Sequence, residues 1–296
     1  MGSSRPVAGG TSRAARPLPV GRYRLRRLLI GSAVAALLVA LAGLGLFTVR
    51  WASGPTCQAR AGGSTFAFTP EQTGHAATIT AEAIRRGLPA RAATIALATA
   101  LQESGLRNLD YGDRDSVGLF QQRPSQGWGS VPQIMDPTYA AGAFYDALVK
   151  VDDYESRPIT EVAQEVQRSA FPTAYADHEG EGRVLASTLT GHSPAGLGCR
   201  LGRAAAADPA QVSAVLGAQL GVSATASRGA LTVHTSSATR AWQVASWAVA
   251  QAERYGIVAV DVADKRWERA AAGASLVWQD TQESADGTTV TLHLAP

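Results

Sequence analysis

The stretch Ala90-Arg-Ala-Ala-Thr-Ile-Ala-Leu-Ala-Thr-Ala-Leu-Gln-Glu-Ser104 decides how the rest of the chain is read. Its Ala, Ile and Leu residues surround a helix on nearly every side, and a helix that is apolar all round is a buried one. Pro89 opens the helix and Gly105 stops it, since glycine readily adopts the left-handed conformation that ends a helix. Glu103 is the carboxylate of its last turn. A carboxyl there meets the partial negative charge of the helix C-terminus, which disfavours the ionised form. The effect, ~0.3–1 kcal/mol, has the right sign for Glu103 as a candidate catalytic acid but is too small alone, and burial against neighbours such as Leu106 and Phe120 would have to supply the rest.

Toward the N-terminus, Thr69-Pro70-Glu71-Gln72 combines an N-cap, a proline at the first helical position and a capping-box glutamine, with Gly87 as the stop. The pattern predicts a helix over about 70–86. Downstream, Asp136-Pro137 caps a third helix through Val149. Thr160 begins a fourth with Val162, Val166 and Ala170 on one face, and a fifth covers about Tyr175 to Leu189. A mainly helical domain over residues 69–191 is expected.

Two short blocks stand inside it. The first, Ala100-Leu-Gln-Glu-Ser-Gly-Leu-Arg-Asn108, carries Glu103 and Ser104; the second, Asp115-Ser-Val-Gly-Leu-Phe-Gln-Gln-Arg-Pro124, carries Gln121 and Gln122 and leads into Gln126-Gly-Trp-Gly129. Their order and spacing resemble the signature of the lytic transglycosylase and goose-type lysozyme superfamily, and the run is similar to a block in wall proteins of high-GC Gram-positive bacteria. The resemblance implies a lysozyme-like, mainly α domain that cleaves the glycan strands of peptidoglycan at the MurNAc–GlcNAc β-1,4 bond. It further implies Glu103 as acid and then base, with the substrate's N-acetyl group stabilising the glycosyl cation and 1,6-anhydro-muramyl ends as product.

By the same resemblance Ser104 supports the glutamate, Gln121 lines the glycan groove, Gln122 joins it on a weaker parallel, and Tyr175 corresponds to a late tyrosine facing the carboxylate. The chain departs from the family here, because the usual Ala-Tyr-Asn-Ala-Gly block is absent. Trp128, between two glycines, either stacks on a sugar ring or is a buried loop tryptophan. Ordinary glycosidases need a second carboxylate. Asp110, Asp113 and Asp115 are available, all in the polar loop Asn108-Leu-Asp-Tyr-Gly-Asp-Arg-Asp-Ser116, where they also read as solvated turn formers. A hydrolytic lysozyme (muramidase) and a non-catalytic peptidoglycan-binding or assembly protein are the alternative functions.

Outside this domain the expectations rest on composition. Residues 1–27 lack apolar periodicity and read as a disordered basic tail. Leu28 to Val49 is an uncharged run long enough to span a bilayer, with Arg22, Arg24, Arg26 and Arg27 on the side expected to be cytoplasmic. A cleaved signal peptide is the rival reading. The expected location is the plasma membrane, single-pass, with residues 50–68 as a juxtamembrane linker and the catalytic domain outside in the cell wall. Cys57 and Cys199 are the only cysteines and pair in such a compartment.

Residues 192–207 read as a linker, and 208–296 as a small α/β accessory domain that could meet a wall-associated protein partner. In it a helix follows Asp208-Pro209, a second runs over 238–255, and strands are expected at 257–261, 275–278 and 288–294. The formal charge of +3 includes eight arginines in residues 1–50 with no acid among them, so the remainder stands at −5 and no nucleic-acid partner is expected. His75, His178, His192, His234 and His293 show no metal spacing, and no phosphate or dinucleotide fingerprint is present. Neither a metal nor a cofactor is expected.

Overall fold

The computed structural model describes Gly2 and residues 54–167, 174–282 and 286–296. Residues 55–296 form one compact unit. Its chain opens on a hairpin, β1 (Thr56–Ala61) and β2 (Ser64–Phe68), joined by Gly62 and Gly63. Both glycines have positive φ, as a two-residue turn between right-twisted strands requires. Helix α1 (Pro70–Arg85) follows with the expected capping box between Thr69 and Gln72. Helix α2 (Ala90–Ser104) is the sequence-predicted core helix, and every residue from Ala92 to Leu101 is buried. The short α3 (Val131–Ile134) leads to α4 (Pro137–Leu148), capped by Asp136, and then α5 (Ile159–Gln167). A 3-10 turn over Ala174–His178 runs into α6 (Glu179–Leu189).

The third strand, β3 (Leu197–Arg200), lies beside β1 and completes a three-stranded antiparallel sheet of order β2-β1-β3. Cys57 and Cys199 are direct partners in that register and form the expected disulfide, fully buried. Beyond it come α7 (Pro209–Leu220), the hairpin β4 (Ala224–Ser227) and β5 (Ala230–His234), α8 (Ala238–Ala250) and α9 (Ala252–Tyr255). Strands β6 (Ile257–Val262), β7 (Lys265–Glu268), β8 (Gln279–Asp280) and β9 (Thr289–Leu294) finish an antiparallel six-stranded sheet of order β4-β5-β9-β6-β7-β8.

The expected fold class, a mainly α lysozyme-like domain after a membrane helix followed by a small α/β domain, is corrected: the described residues form two antiparallel sheets of nine strands, one of them within the part expected to be mainly helical. The physical reason is that strands such as Thr56–Ala61 and Leu197–Arg200 are short, rich in small residues and paired across a long stretch of chain, so they carry little local signal. Ser275 to Trp278, expected as a strand, instead comprises the end of a 3-10 turn over Gly273–Leu276 and two residues outside any strand that precede β8. The expected plasma-membrane location is corrected as well: among the described residues no helix is long and apolar enough to cross a membrane. The tail 1–27 and the expected span Leu28 to Val49 lie outside the described residues, as does Ala170.

One continuous apolar core runs from Cys57 through α1, α2 and α6 to Trp242, Trp247, Trp267 and Leu294. Polar side chains cross it. The Gln251 amide donates to the Gly74 carbonyl oxygen at 3.0 Å, the Trp247 indole to Gln219 at 2.7 Å, and the Trp278 indole to the Leu197 carbonyl at 2.8 Å. Each satisfies a group that would otherwise be costly to bury.

Candidate active site

Glu103 is held by the way α2 ends. Gly105 adopts φ +62° and its N–H bonds to Ala100 and Leu101, while the N–H of Leu106 returns to the Ala100 carbonyl at 3.0 Å. These two N–H groups satisfy carbonyls of the last turn that the helix itself leaves without a donor. Two side chains from α1 bind it from outside: Gln72 donates to the Gly105 carbonyl at 2.9 Å, and His75 Nδ1 lies 2.8 Å from the Leu106 carbonyl. Glu103, half-buried, stands in a fixed frame.

The second block is clamped onto this frame by Ser104. Its buried hydroxyl lies 3.0 Å from the Ala100 carbonyl and 2.7 Å from the Leu119 carbonyl, fifteen residues on. Gly118, at φ +80°, sits with its Cα hydrogen facing the Ile134 carbonyl; a Cβ there would stand 2.9 Å from that oxygen. Only glycine suits both demands. Leu119 and Phe120 are then fully buried, and Phe120 stacks on Phe144 with ring centroids 4.7 Å apart.

From the far side comes Tyr175, itself buried, whose hydroxyl donates to Glu103 Oε1 at 2.6 Å. Gln121 is half-buried with φ +47°, and its amide lies 3.3 Å from both the Tyr111 and Gly118 carbonyls, so it props the polar loop. Gln122 is 1 % exposed and donates to the Ala140 carbonyl of α4, facing the interior rather than a groove. Trp128 is half-buried and lines a cleft of about 350 Å³ together with Tyr139, Asp146, Lys150 and Gln167. Glu103 is not part of that lining.

The three loop aspartates differ. Asp115 accepts from Arg123 Nε and from the Ser125 backbone N–H, both at 2.8 Å, and these bonds, the guanidinium first, hold its carboxyl far below the usual carboxylate range. It organises the loop leading to Trp128. Asp110 and Asp113 are exposed. Among the described residues no cluster of His, Cys, Asp or Glu could hold a metal ion.

Tyr139, Lys150 and Gln167 were missed from the sequence as candidate residues. A signal existed, because Tyr139, Ala143, Asp146 and Lys150 recur three and four residues apart, the spacing of one helix face. The roles of Gln72 and His75 had no such signal, since they are defined only by a turn packed thirty residues away. No protein-family model matches the chain, and a search of curated proteins finds no match.

Proposed function

We propose that the chain is a peptidoglycan-cleaving lytic transglycosylase acting on the MurNAc–GlcNAc β-1,4 bond, with Glu103 as acid and base. The observation that supports this most is the 2.6 Å contact between the Tyr175 hydroxyl and Glu103 Oε1, made by the tyrosine that the family resemblance singled out. A phenol can donate to a carboxylate or accept from a carboxylic acid, so one contact serves both protonation states of a residue that must use both.

In the proposed reaction the Glu103 acid proton passes to the glycosidic oxygen as the bond from the muramyl C1 breaks. The N-acetyl group of the substrate supports the cationic C1. The Glu103 carboxylate then accepts the proton of the muramyl C6 hydroxyl as its oxygen bonds to C1, which regenerates the acid and closes the 1,6-anhydro ring. Proton transfers of this kind contribute about 10²–10⁴ in rate. Asp115, the loop carboxylate most tightly engaged, already serves Arg123 and Ser125, which weighs against its acting as a hydrolytic base.

The test is digestion of purified sacculi with the wild-type chain and with Glu103→Gln, followed by mass analysis of the fragments. Anhydro-muramyl ends released by the wild type alone are expected. Reducing muramyl ends in their place make the protein a muramidase, and fragment release equal in both proteins refutes a role for Glu103.

A further inference from the structure

The cleft beside Trp128 carries chemistry that the cleavage reaction does not use. Two of its lining residues are charged. Asp146 is already met by Arg86, whose Nη1 lies 2.6 Å from Asp146 Oδ1. Lys150 is exposed and has no carboxylate within ion-pair distance among the described residues, whereas Lys265, the only other lysine, pairs with Asp264 and Asp280. The cleft therefore presents one uncompensated ammonium.

Its other walls are aromatic. Trp128 stands between Gly127 at φ +82° and Gly129 at φ +131°, and a Cβ on Gly129 would lie 2.6 Å from the Tyr139 hydroxyl oxygen. Gly129 thus lets the Tyr139 ring lie against the backbone next to Trp128, so that indole and phenol line one cleft. Gln167 closes the wall and ties the cleft to the motif block, since its amide donates to the Phe120 carbonyl at 2.8 Å, one residue before Gln121. At about 350 Å³ the space is at the small end of ligand pockets.

We propose that this cleft is a carboxylate-reading subsite for the acidic part of the wall polymer, with Lys150 as the recognising cation and Trp128 and Tyr139 packing against the attached sugar or peptide. The inference rests on the proposed function for its substrate class. Two parts of that polymer bring such a carboxylate: the lactyl acid of an unsubstituted muramyl residue and the free acids of the stem peptide. Aromatic rings suit the flat apolar faces of either attachment.

The probe is titration calorimetry on the uncut complex, with Glu103→Gln as the parent and Glu103→Gln/Lys150→Gln and Glu103→Gln/Lys150→Arg beside it. Four ligands are compared: a GlcNAc–MurNAc disaccharide with a free lactyl acid, the same disaccharide bearing a stem peptide, the free stem peptide, and a neutral GlcNAc oligomer. Lys150→Gln is expected to weaken an acid-bearing ligand about fivefold, as suits an exposed ion pair, and to leave the neutral oligomer unchanged. Lys150→Arg should keep most of the affinity, and added salt should shrink the difference. Loss confined to the unsubstituted disaccharide identifies the lactyl acid; loss confined to the peptide ligands identifies the stem.

Equal affinity in the parent and Lys150→Gln for every ligand overturns the subsite while leaving the cleavage reading intact, and so does an equal loss for the neutral oligomer. Lys150-dependent binding in a protein whose wild type releases no fragments keeps the subsite and refutes cleavage. No binding of any wall fragment by a folded parent refutes both.

Discussion

Tyr175 and Glu103 lie 72 residues apart in the chain, and their contact is the point at which two elements agree on one geometry. Because Tyr175 is buried, its ring is held by packing and its hydroxyl has little freedom to leave the carboxyl. Tyr175→Phe removes one hydrogen bond to a charged group, worth ~1.5–3 kcal/mol, and keeps the ring. If that bond is made in the transition state, fragment release should fall about ten- to a hundredfold while the melting temperature changes little. Initial rates on soluble glycan fragments, read beside a thermal melt, decide it; an unchanged rate places the hydroxyl outside the chemistry. Glu82 illustrates the same scale in a structural role. Burial works to raise its carboxyl, but the Arg85 and Arg86 guanidiniums outweigh burial and leave it below the ordinary range.

At the scale of elements, α2 is gripped from several sides, and the closest grip is that of α6. A Cβ on Gly182 would stand 2.9 Å from both the Ala98 nitrogen and the Thr94 carbonyl oxygen, so the two helices touch backbone to backbone. Gly182→Ala must push them apart, and overpacking of this kind costs ~1–3 kcal/mol. The melting temperature should drop by several degrees, about 2–4 °C per kcal/mol for a chain of this size. Since α2 carries Glu103 and the 3-10 turn before α6 carries Tyr175, the cleavage rate should fall with it. A variant as stable and as active as the wild type would show that the contact yields easily.

Much at this scale was legible locally. The capping box of α1, the all-round apolar surface of α2 and the Asp-Pro starts of α4 and α7 each depend on residues within a few positions of one another. One of the turns between the unexpected strands is legible in the sequence too. Gly62-Gly63 is a two-residue hairpin signal, whereas Arg228-Gly229 makes the same kind of turn with Arg228 at φ +46°, which residue type does not announce.

Across the whole molecule, the segment read as an accessory domain shares its core with the segment that carries Glu103. Arg60 donates to the Leu276 carbonyl at 2.6 Å, Gly191 and Gly198 leave no room for a side chain against Thr239 and Leu276, and Gln251 reaches Gly74. A chain ended after Gly202 would lose α8 with the buried Trp242 and Trp247 and expose one side of α1. Loss of a cooperative melt by circular dichroism is the expected result, even with the Cys57–Cys199 bridge intact. A truncated chain that melts cooperatively near the wild-type temperature would show that residues 55–202 stand alone.

The sequence by itself determined the longer helices, most of their caps, the pairing of its only two cysteines and the place of Glu103 in the last turn of a buried helix, because each of these is written in neighbouring residues or in a count of one residue type. Of the strands it gave only β6 and β9, and it did not determine the three-stranded sheet or the rest of the six-stranded one, since a short strand of small residues is stabilised by partners far along the chain and leaves little periodic trace. Nor could it fix where the glutamines point. Gln121 and Gln122 are adjacent in the chain, yet one props a polar loop and the other is buried against α4. Only the tertiary structure decided that, because backbone direction and the nearest free carbonyl, not residue type, choose the partner of an amide. The same holds for Lys150: its charge is plain in the sequence, but that no carboxylate among the described residues lies within ion-pair distance of it is a property of the packed surface.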